Sequence, residues 1–256
     1  MEKKSTFYLS YSKISTYLKC PLRYKYIYVD NLPTIERGYF SLGNSVHKVL
    51  EKFYSPEENF LVLKKKPYTY LLELLDLYWI KNGYSSEIEE KKAKEVAKSM
   101  LTSYYRRNIF GFRPAYEVES AFSVPFLGLE LKGRFDRIDS EEDGFAIVDY
   151  KTNSFLQEHF REEEILQPVI YRIAGEEKYG RNSVKRVSFH YLRKEKQVNF
   201  EIPLTLIEKS KRRVEEIVNN IFKGYFPPNV NGNCSNCEFR GYCEAYALSK
   251  LSRKSL

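Results

Sequence analysis

Methionine and tryptophan are nearly missing from this chain of 256 residues, at two and one, and cysteine occurs only four times. No run approaches the ~18 apolar residues that a membrane-spanning helix needs. The opening stretch MEKKSTFYLSYSK holds no apolar block of signal-peptide length. The expectation is therefore a soluble, cytoplasmic protein with no membrane partner. No G-x-x-x-x-G-K-[ST] motif occurs, which excludes a phosphate-cradling nucleotide loop of that kind. Nor is the chain poor in apolar residues: 43% hydrophobic with 16% aromatic content argues for a folded globule over a disordered tail. What it has in surplus is positive charge. Lys+Arg at 42 against Asp+Glu at 34 gives +8, which suits a polyanionic partner without specifying one.

The few cysteines are spaced tellingly. Cys20 stands alone, and Cys234, Cys237 and Cys243 form a C-x2-C-x5-C cluster. In a reducing compartment that pattern indicates metal, not disulfides. Four thiolates hold either Zn²⁺ or a [4Fe–4S] cluster, and spacing alone does not separate the two.

The densest chemistry lies in residues 128–151, GLELKGRFDRIDSEEDGFAIVDYK. Leu129, Leu131, Gly133 and Phe135 alternate with Glu130, Lys132, Arg134 and Asp136, the period of a strand with one buried face. A turn over 140–144, with Asp143-Gly144 as its signal, predicts a hairpin returning through Phe145-Ala146-Ile147-Val148. Asp149 and Lys151 are two apart and so share a strand face. If Asp136 lies opposite, two carboxylates and an ammonium converge. Paired carboxylates repel unless a cation sits between them, and oxygen ligands suit Mg²⁺ or Mn²⁺. A lysine beside such a metal can orient water or stabilise charge on a phosphate.

Around this hairpin the spacing predicts a short helix capped by Ser12 and stopped near Cys20-Pro21. A second helix should be entered through the Gly43-Asn44-Ser45 turn and bury Val46, Val49, Leu50 and Phe53, with His47 at the stripe's edge. Residues 55–115 read as a helical insertion beside the core, with helices near 69–81 and 87–108. The basic face of the second (Lys91, Lys92, Lys94, Lys98, Arg106, Arg107) reads as a solvated face or a DNA path. A strand near 116–124 carries Glu119. Gln167 and Tyr171 share one face of a helix over 163–179, with Pro168 marking either its start or a kink. Strands over 184–193 and 197–203 and a helix capped by Thr205 complete the pattern. His190 reads as structural, and His159 sits in a charged loop.

Gly133-Arg134-Phe135-Asp136 followed by Asp149-Tyr150-Lys151 resembles the G-x-x-D … D-Y-K signature of RecB-type nucleases in the PD-(D/E)XK superfamily. The order Cys20, His47, Asp136, Asp149-Tyr150-Lys151, Gln167/Tyr171, Cys234/Cys237/Cys243 matches the family's order over residues 8–245. The resemblance implies an α/β fold, with a central mixed sheet flanked by helices, as one nuclease domain. It implies Mg²⁺ or Mn²⁺ held by His47, Asp136, Asp149 and the Tyr150 carbonyl, with Lys151 orienting water and Gln167 and Tyr171 positioning the strand. Glu119 would be a supporting or second-metal residue. In the AddB-type and CRISPR-associated members the four cysteines hold a [4Fe–4S] cluster, implying an iron–sulfur clasp that joins the chain ends here; structural Zn²⁺ is the alternative. The expected activity is that of a metal-dependent DNA exonuclease on single strands or ends in repair, with a helicase or CRISPR-adaptation partner. The alternatives are a spacer-trimming nuclease and a catalytically silent iron–sulfur DNA-binding module.

Overall fold

In the computed structural model, residues 7–35, 37–58, 65–153, 160 and 162–252 are described; His159 lies outside them. The alternation of residues 129–135 becomes β3 (Leu129–Glu141), with Leu131 and Phe135 buried and Glu130 and Lys132 exposed. Its hairpin partner is β4 (Gly144–Lys151), and the last rung pairs Glu141 with Gly144, so the turn is two residues long. From Ala146 to Tyr150 every residue of β4 is buried, as befits a strand covered on both faces.

β2 (Glu117–Phe126) runs antiparallel along the other edge of β3. β5 (Val184–Tyr191) lies parallel to β4, and β6 (Lys196–Phe200) antiparallel to β5. The two-residue β1 (Tyr8–Leu9) pairs in parallel with Glu130 and Leu131 of β3. The result is a mixed six-stranded sheet.

Helices cover both faces. On one side α1 (Tyr11–Lys19), α2 (Pro21–Tyr28), α6 (Glu162–Tyr179) and α7 (Leu204–Phe222) bury Ile14, Tyr24, Ile170 and Val214 with Leu131, Phe135 and Ile147 of the sheet. On the other, α3 (Gly38–Tyr54), α4 (Pro67–Leu77) and α5 (Glu87–Asn108) bury Val49, Leu71 and Leu101 with Val148 and Tyr150. α8 (Glu244–Ser252) follows the last cysteine. The described helices within 55–115, α4 and α5, are therefore more than a layer beside the core: with α3 they roof the second face of the sheet. α6 supplies the crossover that the parallel β4–β5 pair requires. Among the described residues no helix is long and apolar enough to cross a membrane.

Several boundaries differ from the sequence expectation. Ser10, not Ser12, caps α1, because Ser10 has the extended backbone from which its hydroxyl accepts the Lys13 N–H. α3 begins at Gly38, so Gly43 lies within the helix. α7 starts at Leu204 after an extended Pro203, without a side-chain cap from Thr205. Pro168 sits inside α6.

Candidate active site

The site forms where the sheet comes apart. Pairing of β3 with β4 ends at Arg137–Val148, while β1 reaches only Glu130 and Leu131. Two residues past Val148, the Tyr150 N–H donates to Asp136 Oδ2 at 2.8 Å. Gly133, three residues earlier, has a packing reason. A Cβ there would lie 2.3 Å from the ring of its cross-strand partner Phe122, whose centroid is 4.6 Å from that of Phe135, beside Asp136, in a tilted contact.

Asp149 and Lys151 share one strand face, the one covered by α6. Lys151 Nζ lies 2.6 Å from Asp149 Oδ2 and donates to Gln167 Oε1 at 2.6 Å. Asp149 Oδ1 accepts from Gln167 Nε2 at 3.0 Å and from the Tyr171 hydroxyl at 2.8 Å. The i, i+4 pair on α6 thus holds the carboxylate and the ammonium of β4, which places both side chains on protein groups and not out toward a bound strand. Burial pushes the Asp149 carboxyl up, with Lys151 opposing it. Burial, followed by the Asp149 charge, raises the Tyr171 phenol well above its ordinary value, so it stays a donor.

His47 arrives from the opposite face on α3. Gly43, one turn earlier, would place a Cβ 3.2 Å from Thr152 Oγ1, just past Lys151. The glycine lets α3 approach the end of β4 closely enough for His47 Nδ1 to lie 3.3 Å from Asp136 Oδ2. Burial works against charge on His47, but Asp136 outweighs it and raises the imidazole to about 9. Burial also opposes charge on Asp136, yet His47 and the Tyr150 N–H hold its carboxyl below its usual value.

The third member of this cluster is Glu119. It has a left-handed backbone (φ 47°) in the middle of β2, a strained conformation for a residue with a side chain. The strand changes face there: Val118 packs on the second core, while Phe122 and Val124 pack on the first. Glu119 accepts from Arg134 at 3.0 Å, and burial pushes its carboxyl up. Among the described residues, His47, Glu119 and Asp136 are the one set of three or more His, Cys, Asp or Glu whose ligand atoms lie within 4.8 Å of one another. They line a cavity of about 720 Å³. Asp149 and Lys151 lie beyond this set but within its field, each affecting the titration of His47. The mixed oxygen and imidazole donors fit Mg²⁺ or Mn²⁺.

Sequence reasoning missed Arg137. This buried guanidinium donates at 2.8 Å to the hydroxyls of both Tyr104 and Tyr150, pairs with Asp139 at 2.9 Å and lies 4.0 Å over the Tyr54 ring. It draws the Tyr150 side chain into the second core. Of the basic face on α5, Lys94 pairs with Asp76 and Arg107 with Glu195.

The four cysteines line one cavity of about 390 Å³. Beside it the chain ends are tied by Leu22 N–H to the Pro227 carbonyl (3.3 Å), Asn229 to the Lys19 carbonyl (3.0 Å) and Arg23 to Glu238 (2.9 Å). The sulfurs do not form a tight ligand set: among the described residues no three lie within 4.8 Å of one another. Tetrahedral zinc would need sulfurs ~3.8 Å apart, from a Zn–S bond of ~2.3 Å.

Comparison with known proteins places these features. Residues 8–244 match the family described as the PD-(D/E)XK nuclease superfamily. A crystal structure of a provisionally named exonuclease from Eubacterium rectale superposes with a TM-score of 0.53 at 13% identity, covering 94% of this chain and 87% of that one. At that identity the likeness concerns the fold. The crystal structure of SSO0001 covers 82% of this chain and 96% of its own at 15% identity, but a TM-score of 0.39 carries no argument. No curated protein matches the sequence significantly.

Proposed function

The chain belongs to the PD-(D/E)XK nuclease superfamily, and on that premise we propose that it is a Mg²⁺- or Mn²⁺-dependent deoxyribonuclease, an exonuclease acting on single strands or DNA ends. The observation that carries this reading is the meeting of His47, Glu119 and Asp136 in one cavity, with the Asp149–Lys151 pair beside them. The exonuclease mode is in keeping with the name of the Eubacterium rectale relative.

In this reading His47, Asp136 and Glu119 would hold the cation, and Asp149 and the Tyr150 carbonyl would complete its surroundings. The cation would polarise the phosphoryl oxygen and lower the pKa of water. Lys151 directs its ammonium at the attacking water or the phosphate charge. Gln167 fixes the direction of that ammonium, and Tyr171 donates to Asp149, a hydrogen bond that favours the charged carboxylate against its burial. Gly43 and the left-handed Glu119 bring ligands from two other elements to the open edge of β3. Incubating DNA with Mn²⁺ and wild-type protein beside Asp136→Asn tests this: digestion by the wild type alone supports it, and equal digestion refutes it.

We read the four-cysteine cavity as the seat of a [4Fe–4S] cluster in the RecB-like manner, with structural zinc as the competing occupant. The donor chemistry supports a thiolate-bound group, and the cavity has room for more than a single ion. A role in DNA repair follows from the same resemblance.

A further inference from the structure

Two exposed rings stand where the catalytic cavity adjoins a second one, each lining both. Tyr39 and Phe40, in the first turn of α3, are 59% and 53% exposed, and their ring centroids lie 4.2 Å apart. Both line the cavity that holds His47 and Asp136, and both line a neighbouring groove of about 860 Å³ between α1, α2 and α3. The groove's polar wall carries the side chains of Ser12, Ser15, Thr16, Lys19, Arg23 and Arg37. Among the described residues one carboxylate, Glu238, stands against these three cations, and it is paired with Arg23. Arg37 is fixed by donating to the Asn236 carbonyl at 2.8 Å. Hydroxyls and fixed guanidiniums suit a phosphate backbone, and aromatic faces suit bases without regard to sequence. A duplex keeps its base faces stacked inside, so an unpaired strand is the form that can use both walls.

We propose that Tyr39 and Phe40 are a base-stacking platform that guides an unpaired DNA strand from this groove into the metal cleft and makes the site selective for single strands. The proposal rests on the nuclease reading of that cleft, and it makes the two rings positioning residues. The strand's backbone follows the Arg23–Arg37 wall while successive bases lie on the rings. The last base on the platform sets which phosphate reaches Asp136.

The test is fluorescence-anisotropy binding by the full chain in Ca²⁺, using a labelled oligothymidine, the same strand with abasic residues and a blunt duplex. Wild type should prefer thymine over abasic strand by roughly ten-fold, in line with stacking on aromatic side chains, and bind the duplex more weakly. Tyr39→Ala/Phe40→Ala should lose that preference while its affinity for the abasic strand stays unchanged, and Tyr39→Trp/Phe40→Trp should keep it. A wild type indifferent to abasic substitution, or a double alanine variant that keeps the preference, overturns the proposal. Because the abasic comparison uses wild type, it stands even if a variant fails to fold. A wild type that stacks thymine but digests no DNA in Mn²⁺ defeats the nuclease reading and leaves the platform standing. Lys151-dependent digestion of the abasic strand at the thymine strand's rate defeats the platform and leaves the nuclease.

Discussion

Lys151 donates to the side-chain oxygen of Gln167 at 2.6 Å, and the nitrogen of that same amide donates to Asp149 at 3.0 Å. One side chain on α6 thereby orients both charged groups of the Asp-Tyr-Lys segment. Gln167→Ala should leave the fold in place and lower kcat by about 10- to 100-fold, the usual cost of losing a group that orients a site. KM should change little, because Gln167 is spent on Asp149 and Lys151. Steady-state kinetics with Mn²⁺ checks this; a change confined to KM would assign Gln167 to strand binding instead.

Gly43 is a distance device for His47. Its absent Cβ would sit 3.2 Å from Thr152 Oγ1, so Gly43→Ala should push α3 from β4 by a few tenths of an ångström. Mn²⁺ affinity should then drop several-fold, and further in Gly43→Val. Thr152→Ala removes the contacting atom, so Gly43→Ala should cost less in that background. Calorimetric Mn²⁺ titration of the four proteins forms a double-mutant cycle, and strict additivity would show that the two positions do not meet.

His190 gives the fold an acid limit. Burial, then Arg137 and Arg186, lowers this imidazole to about 3, far below its unfolded value of ~6.5. The unfolded chain takes up the proton below that value and the folded one does not, so stability is intact above pH ~6.5 and falls toward pH ~3. One such group contributes about 1.4 kcal/mol per pH unit in the window. The difference between wild type and His190→Phe in urea unfolding at successive pH values should have about that slope. Parallel curves would show that His190 does not titrate in this way.

The alternation of residues 129–135 and the two-residue spacing of Asp149 and Lys151 made the hairpin and its charged end legible, since strand faces follow directly from sequence parity. Four features were not. Glu119 enters the ligand set through a left-handed backbone that interrupts strand parity, and a polar residue on a strand gives no sign of that. Gly43 looks like a turn residue, and only the closeness of Thr152 shows why a helix interior keeps it. The i, i+4 spacing placed Gln167 and Tyr171 on one face but could not say whether that face meets a substrate or the protein. Arg137 looked like one more polar strand residue. Its burial among three tyrosines depends on α3 and α5 roofing that face, which is set by tertiary packing.

Cys20, Cys234, Cys237 and Cys243 line one cavity between the chain ends. Protein purified without oxygen should be brown, with iron and sulfide in equal amounts. Cys20→Ser should lose the colour and melt at lower temperature, because a group bound only by the folded state stabilises it. A colourless wild type containing zinc would decide for the alternative.

Hydrolysis at the Asp136–Lys151 edge is read most directly by digesting 5′- and 3′-end-labelled single- and double-stranded DNA with Mn²⁺, wild type beside Lys151→Ala. Wild type should release label from single strands, and Lys151→Ala, still folded, should lose this by about a hundred-fold or more, as for removal of one stabilising donor. Equal digestion by the two proteins would contradict hydrolysis at that edge.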